Sequence, residues 1–317
     1  MEKNIWLDGI VGVIVGDALG CPVEFMERWE LKENPVRDMR EYGTFNLPRG
    51  SFTDDGSMTL ATLDSIREKQ GIDLADIMDK FVLWYYQGEY TPFGTAFDIG
   101  GGTQSAIKRY QQGLGIQECG GNTEHDNGNG SLMRIMPVCL YCYEKKPDDK
   151  EVIELIQLVS GLTHNHLRAK IACGLYYFSV KAVLDGAGNL KERLQNGLEA
   201  GFTFYEEDFL NRVELSYYGR LRDIEELSRT EEKDIRSSGY VVDSIEAAFW
   251  SLITTGSYKE CELRAVNLGE DTDTVAAIAG GLAGLYYGYE GIPEEWRSVI
   301  QRRDWIESLA EINKEWA

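Results

Sequence analysis

The segment SFTDDGSMTL, residues Ser51–Leu60, sets two aspartates side by side immediately before an apolar run. An acid in the first turn of a helix is favoured by the helix dipole and by free backbone N–H groups, by roughly 0.5–2 kcal/mol. Helix capping requires only one acid, so it explains either Asp54 or Asp55 but not both. The segment therefore predicts a helix that begins here and a further task for its acids.

A second acidic doublet occurs far along the chain, in the segment GEDTDTVAAIAGGLAG, 269–284. Asp271 and Asp273 alternate with Thr272 and Thr274 before a helix rich in alanine and glycine. Four carboxylates and threonine hydroxyls brought together would form an all-oxygen site that suits Mg²⁺, Mn²⁺ or Ca²⁺ rather than zinc. Without cations these charges would repel one another. Helix capping by each doublet, with ordinary tight packing of the small residues, is the alternative explanation.

Apolar residues recur at helical spacing through most of the chain, and strand signals are few. The clearest predicted helices are IWLDGIVGVIVGDAL, MTLATLDSIREK, LADIMDKFVLWYYQG, EVIELIQLVSGLTH, HLRAKIACGLYYFSVKAVLDG and VVDSIEAAFWSLITTG. The pattern predicts an all-α chain that forms one compact domain over residues 1–317. The glycine-rich polar segments 88–103 and 119–131 are predicted loops of a length typical of functional sites. The charged segment 203–237 is predicted to be a peripheral excursion that contains helices, whose bounds the pattern does not define.

The composition excludes some classes of function. The chain has 317 residues, of which 43% are hydrophobic, and a net charge of -21. That length allows a sizeable core. An acidic surface repels a phosphate backbone, so we expect no nucleic-acid groove. The apolar run 275–288 is shorter than the roughly 20 residues that a membrane span needs, and we expect neither a membrane segment nor a signal peptide.

The cysteines indicate a reducing compartment. Six cysteines are scattered along the chain, and Cys139 and Cys142 form a single CxxC pair. With no second pair and only three histidines, the spacing does not predict a zinc site. We expect buried thiols and a cytoplasmic protein.

Six motifs occur in a characteristic order: GDALGCPVE (16–24), FTDDGSMTL (52–60), DIGGGT (98–103), GNGSLMR (128–134), LTHNH (162–166) and GEDTDTVAAIAGGLAG (269–284). In these motifs the chain resembles the ADP-ribosylglycohydrolase family, which includes ADP-ribosyl-acceptor hydrolases and dinitrogenase-reductase-activating glycohydrolases. The resemblance extends over residues 5–290. The paired TDD and DTDT motifs are its most specific part.

The resemblance implies an all-α orthogonal helical bundle with a site for two divalent cations, Mg²⁺ or Mn²⁺. The implied metal ligands are Thr53, Asp54, Asp55, Asp271, Asp273 and Thr274, whereas Thr272 should point away. The implied catalytic groups are Asp54 or Asp55, which would direct the attacking water, together with Glu24 and Asp98. Glu24 matches a glutamate that lies on a mobile flap in some members.

The resemblance also implies a substrate-binding set, Gly100, Gly101, Gly102, Asn127, Gly128, Asn129, Gly130, Ser131 and His164. Glycine at such positions fits the chemistry, because backbone N–H groups can approach phosphate oxygens without hindrance. Arg134, behind this set, is expected to pair with an acid under the site. Asn127 departs from the pattern, since some members carry an aromatic residue there that stacks on adenine.

The function expected from these residues is hydrolysis of the bond between ADP-ribose and a modified acceptor. The partner would be an ADP-ribosylated protein or an ADP-ribosyl small molecule, and the acceptor remains open between arginine, serine and other groups. Two alternatives exist. One is a catalytically inactive ADP-ribose-binding or crystallin-like protein on the same fold, and the other is a hydrolase of a free small molecule.

Overall fold

A computed structural model describes residues 4–145 and 147–312 of the chain. Within these residues the secondary structure is helical, with three isolated β-bridges and no sheet, so the all-α prediction is confirmed. The α-helices are α1 (Ile5–Gly20), α2 (Arg28–Glu33), α3 (Asp54–Lys69), α4 (Leu74–Gln87), α5 (Gly101–Gln111), α6 (Met136–Lys145), α7 (Asp149–Gly161), α8 (Leu167–Asp185), α9 (Leu190–Glu206), α10 (Phe209–Leu215), α11 (Ile224–Arg229), α12 (Val241–Ile253), α13 (Tyr258–Val266), α14 (Thr272–Tyr287), α15 (Glu294–Arg297) and α16 (Arg303–Ala310).

One predicted loop is partly helical, and the peripheral segment 203–237 contains helices as predicted. Helix α5 begins at Gly101, inside the predicted loop 88–103, and Gly100 is its N-cap. The segment 203–237 contains the end of α9, the short helices α10 and α11, and two 3₁₀ turns. Buried Leu215, Tyr218 and Leu221 anchor this segment to the core.

Helices α1 and α14 form the centre of the fold and run antiparallel in backbone contact. A Cβ added at Gly12 would lie 2.3 Å from the carbonyl oxygen of Gly280, and one added at Gly280 would lie 2.4 Å from that of Gly12. At Gly16 the nearest atom would be the carbonyl oxygen of Ala276, again at 2.3 Å. The small residues predicted to allow close packing therefore face one another across this contact.

This packing fixes the two ends of the helices relative to each other. The carboxyl end of α1 meets the amino end of α14, since a Cβ at Gly20 would lie 2.4 Å from the Asp273 Cα. Thr272 Oγ1 donates a hydrogen bond of 2.9 Å to the Gly20 carbonyl. The chain leaving α1 at residues 21–24 therefore passes directly beside the second acidic doublet.

The N-terminal helix is also the most apolar segment of the described chain. By length and composition, Ile5–Val23 meets the criterion for a membrane-spanning helix, with a mean hydropathy of 1.5, which the sequence-based prediction overlooked. However, 89% of that window is buried inside the protein, and a core helix satisfies the same criterion. The packing of α1 against α14 explains its composition without a bilayer. The six cysteines are buried free thiols, as the sequence predicted.

We expect Gly12→Ala to destabilise the protein strongly. Its methyl group would overlap backbone atoms of α14, which cannot rotate away as a side chain can, so the free energy of unfolding should fall by about 3 kcal/mol. Denaturant titration measures this change. Gly71→Ala is the matched control, because the nearest atom to its Cβ would be 3.8 Å away, and its effect should stay within about 0.5 kcal/mol. Equal stability of the two variants would contradict the backbone contact.

Candidate metal and substrate site

The two acidic doublets meet at the amino ends of α3 and α14. Thr53 Oγ1 lies 3.1 Å from Asp273 Oδ2, and Thr274 Oγ1 lies 3.4 Å from Asp55 Oδ2. Each threonine thus contacts the aspartate of the opposite doublet. All four side chains are almost completely buried. The structure therefore brings together residues that are far apart in the sequence.

The other acids of the doublets border an open cleft. Asp54 and Asp271 both line it. Asp271 Oδ2 accepts a hydrogen bond of 2.7 Å from Asn129 Nδ2, and the same amide donates to Ser244 Oγ at 2.9 Å. Thr272 is turned away from the cleft toward α1. The doublet of α14 is thus oriented on one side by α1 and on the other by the loop that carries Asn129.

Glu24 and Asp98 complete the acidic cluster. Carboxylate oxygens of Glu24, Asp271 and Asp273 lie within 4.8 Å of one another. Asp98 lines the same cleft, and beyond the effect of burial its negative charge raises the pKa of both Glu24 and Asp273. Because Asp98 adopts a left-handed backbone conformation, with φ +53°, its side chain points back into the cleft from the loop before α5.

The segment that carries Glu24 is attached to the second doublet through the backbone. Phe25 N donates to the Glu270 carbonyl at 2.7 Å, and Glu270 N donates to the Met26 carbonyl at 2.8 Å. The Arg28 side chain adds a hydrogen bond of 2.7 Å from Nε to the Leu268 carbonyl. These bonds hold Glu24 close to Asp271, and Glu24 is only 4% exposed.

Burial and mutual repulsion disfavour the charged forms of these acids. The pKa of Glu24 rises to about 12, first through burial and then through Asp98. Burial also raises the pKa of Asp55 and that of Asp273 well above the usual range, and neighbouring carboxylates raise both further. So many acids cannot all be ionised together in a buried cluster unless cations compensate them.

The cluster fits divalent cations. Three buried oxygens in it have no hydrogen-bond partner within the described residues, Asp55 Oδ1, Asp273 Oδ1 and Glu24 Oε2. A buried polar atom without a partner is costly, and in a native protein it calls for a ligand, an ion or water. The surrounding donors are carboxylates and hydroxyls, the set that hard cations prefer. The acidic cluster is therefore compatible with a metal site.

Asp17 supports the first doublet, a role that was not predicted from the sequence. Its carboxylate accepts a hydrogen bond of 2.9 Å from Thr53 N and one of 2.7 Å from Gly56 N. It thereby caps α3 from outside that helix, which leaves Asp54 and Asp55 free for the cleft. An acid inside the apolar, small-residue helix α1 was the signal that could have revealed it.

The cleft continues from the acids to a glycine-lined wall, and its volume is about 340 Å³. It is lined by Glu24, Phe25, Asp54, Asp55, Asp98, Ile99, Gly100, Gly101, Gly102, Thr103, Gly128, Asn129, Gly130, Met133, His164, Gly239, Asp271 and Thr274. Helix α5 begins in this wall at Gly101, and its N-cap Gly100 offers no side chain to bond the first N–H groups. Such a helix start is a favourable place for an anion.

His164 presents a hydrogen-bond donor to this wall. Arg134 Nη2 donates to Thr163 Oγ1 at 2.8 Å, and that hydroxyl lies 2.9 Å from His164 Nδ1. Since a guanidinium can only donate, the Thr163 hydroxyl accepts from Arg134 and has its own proton available for Nδ1; in that tautomer the ring proton is on Nε2. Nε2 faces the glycines, 3.2 Å from where a Gly102 Cβ would stand and 3.3 Å from that of Gly128.

The neutral state of His164 predicts a pH dependence of stability. Burial, and then the charge of Arg134, lower the pKa of His164 to about 4 from the usual 6.5. Between about pH 6.5 and pH 4, His164 is therefore protonated in the unfolded chain but neutral in the folded chain. The stabilisation is complete above about pH 6.5 and is lost as the pH falls toward 4, by up to about 1.4 kcal/mol per pH unit.

This pH dependence can be measured by denaturant titration from pH 8 to pH 4 on matched variants. His164→Gln should flatten the slope of the unfolding free energy between pH 6.5 and pH 4. His125→Gln is the control, because His125 is exposed, and it should keep the wild-type slope. If both variants show the wild-type slope, His164 is not held neutral.

Not every residue of the implied binding set reaches the cleft. Asn127 is 4% exposed, and its amide donates to the Glu124 carbonyl at 3.1 Å. Ser131 is turned into the core, where its hydroxyl lies 2.9 Å from that of Ser160. Gly128, Asn129 and Gly130 do line the cleft. Asn127 and Ser131 are thus placed to support this loop from behind.

The expectation that Arg134 pairs with an acid was wrong. Among the described residues it makes no ion pair, and its guanidinium lies over the Phe81 ring at 4.6 Å from the centroid. The space beneath the loop is filled by Phe81 and Thr163 instead of a carboxylate. Burial lowers the pKa of Arg134 to about 10.

Comparisons with known proteins concern the chain as a whole. The family model described as ADP-ribosylglycohydrolase matches residues 5–316. The ADP-ribosylarginine hydrolase Tri1 of Serratia proteamaculans is 31% identical over 302 residues, which cover 95% of this chain and 76% of that protein. The ADP-ribosyl-(dinitrogen reductase) glycohydrolase of Rhodospirillum rubrum is 30% identical over 302 residues, covering 94% and 90%. A solved structure described as an ADP-ribosylglycohydrolase-related protein complex has a TM-score of 0.77 at 31% identity, covering 97% of this chain and 95% of that chain.

Proposed function

Because this chain belongs to the ADP-ribosylglycohydrolase family, we propose that it hydrolyses the bond between ADP-ribose and an arginine side chain, with divalent cations held between α3 and α14. The observation that carries the proposal is the meeting of Asp55 with Thr274, and of Thr53 with Asp273, beside a glycine-lined cleft. The names of two similar proteins, an ADP-ribosylarginine hydrolase and the dinitrogen reductase glycohydrolase, support a protein substrate modified on arginine.

The cation ligands would be Thr53, Asp54, Asp55, Asp271, Asp273 and Thr274. Their number and charge suit two divalent ions, and their oxygen chemistry suits Mg²⁺ or Mn²⁺. When bound, such ions supply Lewis-acid stabilisation of negative charge and lower the pKa of water. The unpartnered oxygens of Asp55 and Asp273 support this assignment.

The two acids of the first doublet have different surroundings, which suggests different tasks. Asp55 Oδ2 is held by the hydroxyls of Thr274 and Thr53, an arrangement that suits a fixed ligand. Asp54 lines the cleft and makes no such contact with either threonine among the described bonds. We therefore assign to Asp54 the orientation of the attacking water, from which it accepts a proton.

In the reaction, the bond between the ribose C1″ carbon and the guanidine nitrogen breaks while water oxygen bonds to C1″. Positive charge develops on the ribose, so the nearby carboxylates stabilise the transition state. One water proton passes to a cleft carboxylate and the departing guanidine nitrogen gains a proton, so the products are ADP-ribose and arginine. Glu24 and Asp98 lie beside the acids of α14 and are positioned to carry that proton.

The remote part of the cleft would hold the pyrophosphate. His164 Nε2–H and the free N–H groups at the start of α5 all donate, and none brings a negative charge. Oriented donors of this kind bind phosphate oxygens without a lysine or arginine. Holding the unreactive part of the substrate fixes C1″ relative to the acids.

A panel of substrates tests this function. Peptides carrying ADP-ribose on arginine or on serine, and free O-acetyl-ADP-ribose, are incubated with the enzyme and Mg²⁺, Mn²⁺ or EDTA. We expect release of ADP-ribose from the arginine-linked peptide with either metal and none with EDTA. ADP-ribose binding without hydrolysis of any substrate would instead support the inactive binding protein.

We further propose that the chain acts as one domain in the cytoplasm. The central pair α1 and α14 contacts helices from both halves of the sequence. The six buried free thiols suit a reducing compartment. Limited proteolysis and fractionation of cells test these two statements separately.

A further inference from the structure

Three phenylalanines, each on a different segment, form consecutive ring contacts beside the cleft, which Phe25 lines. Phe25 follows Glu24 directly, and Phe97 directly precedes Asp98. Phe45 lies between them, with ring centroids 6.3 Å from Phe25 and 5.2 Å from Phe97. We call these three side chains the aromatic rim. Both carboxylates beside the rim belong to the acidic cluster, so the rim adjoins the reacting end of the cleft.

The rim is not explained by the stability of the fold. Phe25 is 65% exposed, so its ring gains little from burial. Its φ is +64°, a left-handed conformation that is unfavourable for a bulky residue. A strained residue with an exposed ring at the edge of a cleft indicates a role in binding.

Phe45 is held in place by contacts to the segment that carries Glu24. Thr44 N donates to the Pro22 carbonyl at 3.1 Å, and Thr44 Oγ1 donates to the Glu24 carbonyl at 2.7 Å. Gly43, with φ +48°, allows this approach, because a Cβ there would lie 1.9 Å from the Pro22 oxygen. The turn that presents Phe45 is therefore fixed to the same backbone as Glu24 and Phe25.

We propose that the aromatic rim is the acceptor subsite, which binds the guanidinium and alkyl stem of the ADP-ribosylated arginine. This proposal rests on the proposed function and adds the residues that select the acceptor. Polar complementarity supports a guanidinium as the occupant, because the carboxyl oxygens of Glu24 and Asp98 at the inner edge of the rim can accept its hydrogen bonds, and the chain carries a net charge of -21. Ring faces attract a guanidinium and also pack against its methylene groups. A neutral acceptor would gain only the second contact.

Two substitutions of Phe25 separate the ring from the backbone. Phe25→Leu keeps apolar bulk but removes the aromatic face. Phe25→Gly removes the side chain and relieves the left-handed strain, and thermal unfolding of this variant checks that it is folded. Phe209→Ala is the matched control, since Phe209 is 71% exposed and does not line the cleft.

The experiment measures kcat/KM with one peptide sequence that carries ADP-ribose on either arginine or serine, and the affinity for free ADP-ribose by calorimetry. For both Phe25 variants we expect kcat/KM on the arginine-linked peptide to fall by about 5- to 30-fold, as for a cation–π contact of about 1–2 kcal/mol. The serine-linked peptide and ADP-ribose affinity should change less than twofold, and Phe209→Ala should match the wild type throughout.

The outcomes are distinguishable. Wild-type kcat/KM of both Phe25 variants on the arginine-linked peptide would overturn the acceptor subsite while leaving the proposed function intact. An equal loss on both peptides, or a matching loss of ADP-ribose affinity, would also overturn it, because the ring would then act on the common part of the substrate. A wild-type enzyme inactive on both peptides would refute the proposed function itself.

Discussion

Asp273→Asn should abolish the stabilisation of the protein by divalent cations. It should also reduce turnover by more than roughly 100-fold, because loss of a residue that only supports a metal ligand typically costs roughly 10- to 100-fold. In the absence of metal the same variant should be at least as stable as the wild type. The reason is that Asp273 is buried among Glu24, Asp55 and Asp271, so an amide removes one of several mutually repelling carboxyls. Opposite effects with and without metal distinguish a ligand from a carboxylate that merely caps a helix.

The measurement is thermal unfolding in EDTA and in excess Mg²⁺ or Mn²⁺, followed by activity assays. At a cation concentration of about 100 times Kd, the wild type should gain about 2.7 kcal/mol, and Asp273→Asn should gain much less. Asp149→Asn is the control, because Asp149 lies in the first turn of α7, outside the cleft. It should lose a little stability under both conditions and keep the full response to metal. An unchanged metal response of Asp273→Asn would show that the acidic cluster is not a metal site.

The sequence predicted the chemical groups of the site better than their supports. The doublets were recognisable because two adjacent acids before an apolar helix exceed what capping requires. Their juxtaposition depends on α1, which touches α14 through glycines and brings Gly20 beside Asp273, and which also holds the start of α3 through Asp17. No local pattern specifies that contact, because small residues occur in many tightly packed helices.

The supporting residues were harder to predict because their partners are distant in the sequence. Asp17 bonds the backbone of Thr53 and Gly56, and no spacing rule connects these positions. The aromatic rim could not be predicted for the same reason. Phe45 lies beside Phe25 because its turn is hydrogen-bonded to the Pro22 carbonyl, and no sequence pattern connects these positions. Arg134 shows the opposite error: a buried cation suggested an acidic partner, whereas an aromatic ring and a hydroxyl fill the space.

Glu24→Gln and Asp98→Asn should each reduce turnover by roughly two to four orders of magnitude, as expected for a group that moves a proton in the transition state. Both substitutions preserve side-chain size. Asn also tolerates the left-handed conformation of Asp98, so the loop before α5 should keep its shape. The affinity for ADP-ribose should change far less, because the N–H groups near Gly101 and the His164 donor still hold the product. Calorimetry with ADP-ribose and kinetics with excess substrate separate the two effects.

The relative size of the two losses reports on the leaving group. An arginine-linked guanidinium is cationic before the bond breaks, so a carboxylate can bind it and hold it in position for departure, a role that suits Asp98 at the inner edge of the rim. A serine hydroxyl must be protonated as it leaves, which suits Glu24, whose pKa burial and Asp98 raise to about 12. We therefore expect Asp98→Asn to be the more damaging variant on an arginine-linked peptide and Glu24→Gln on a serine-linked one. Near-wild-type turnover of both variants on every active substrate would leave the two aspartate doublets as the entire catalytic apparatus.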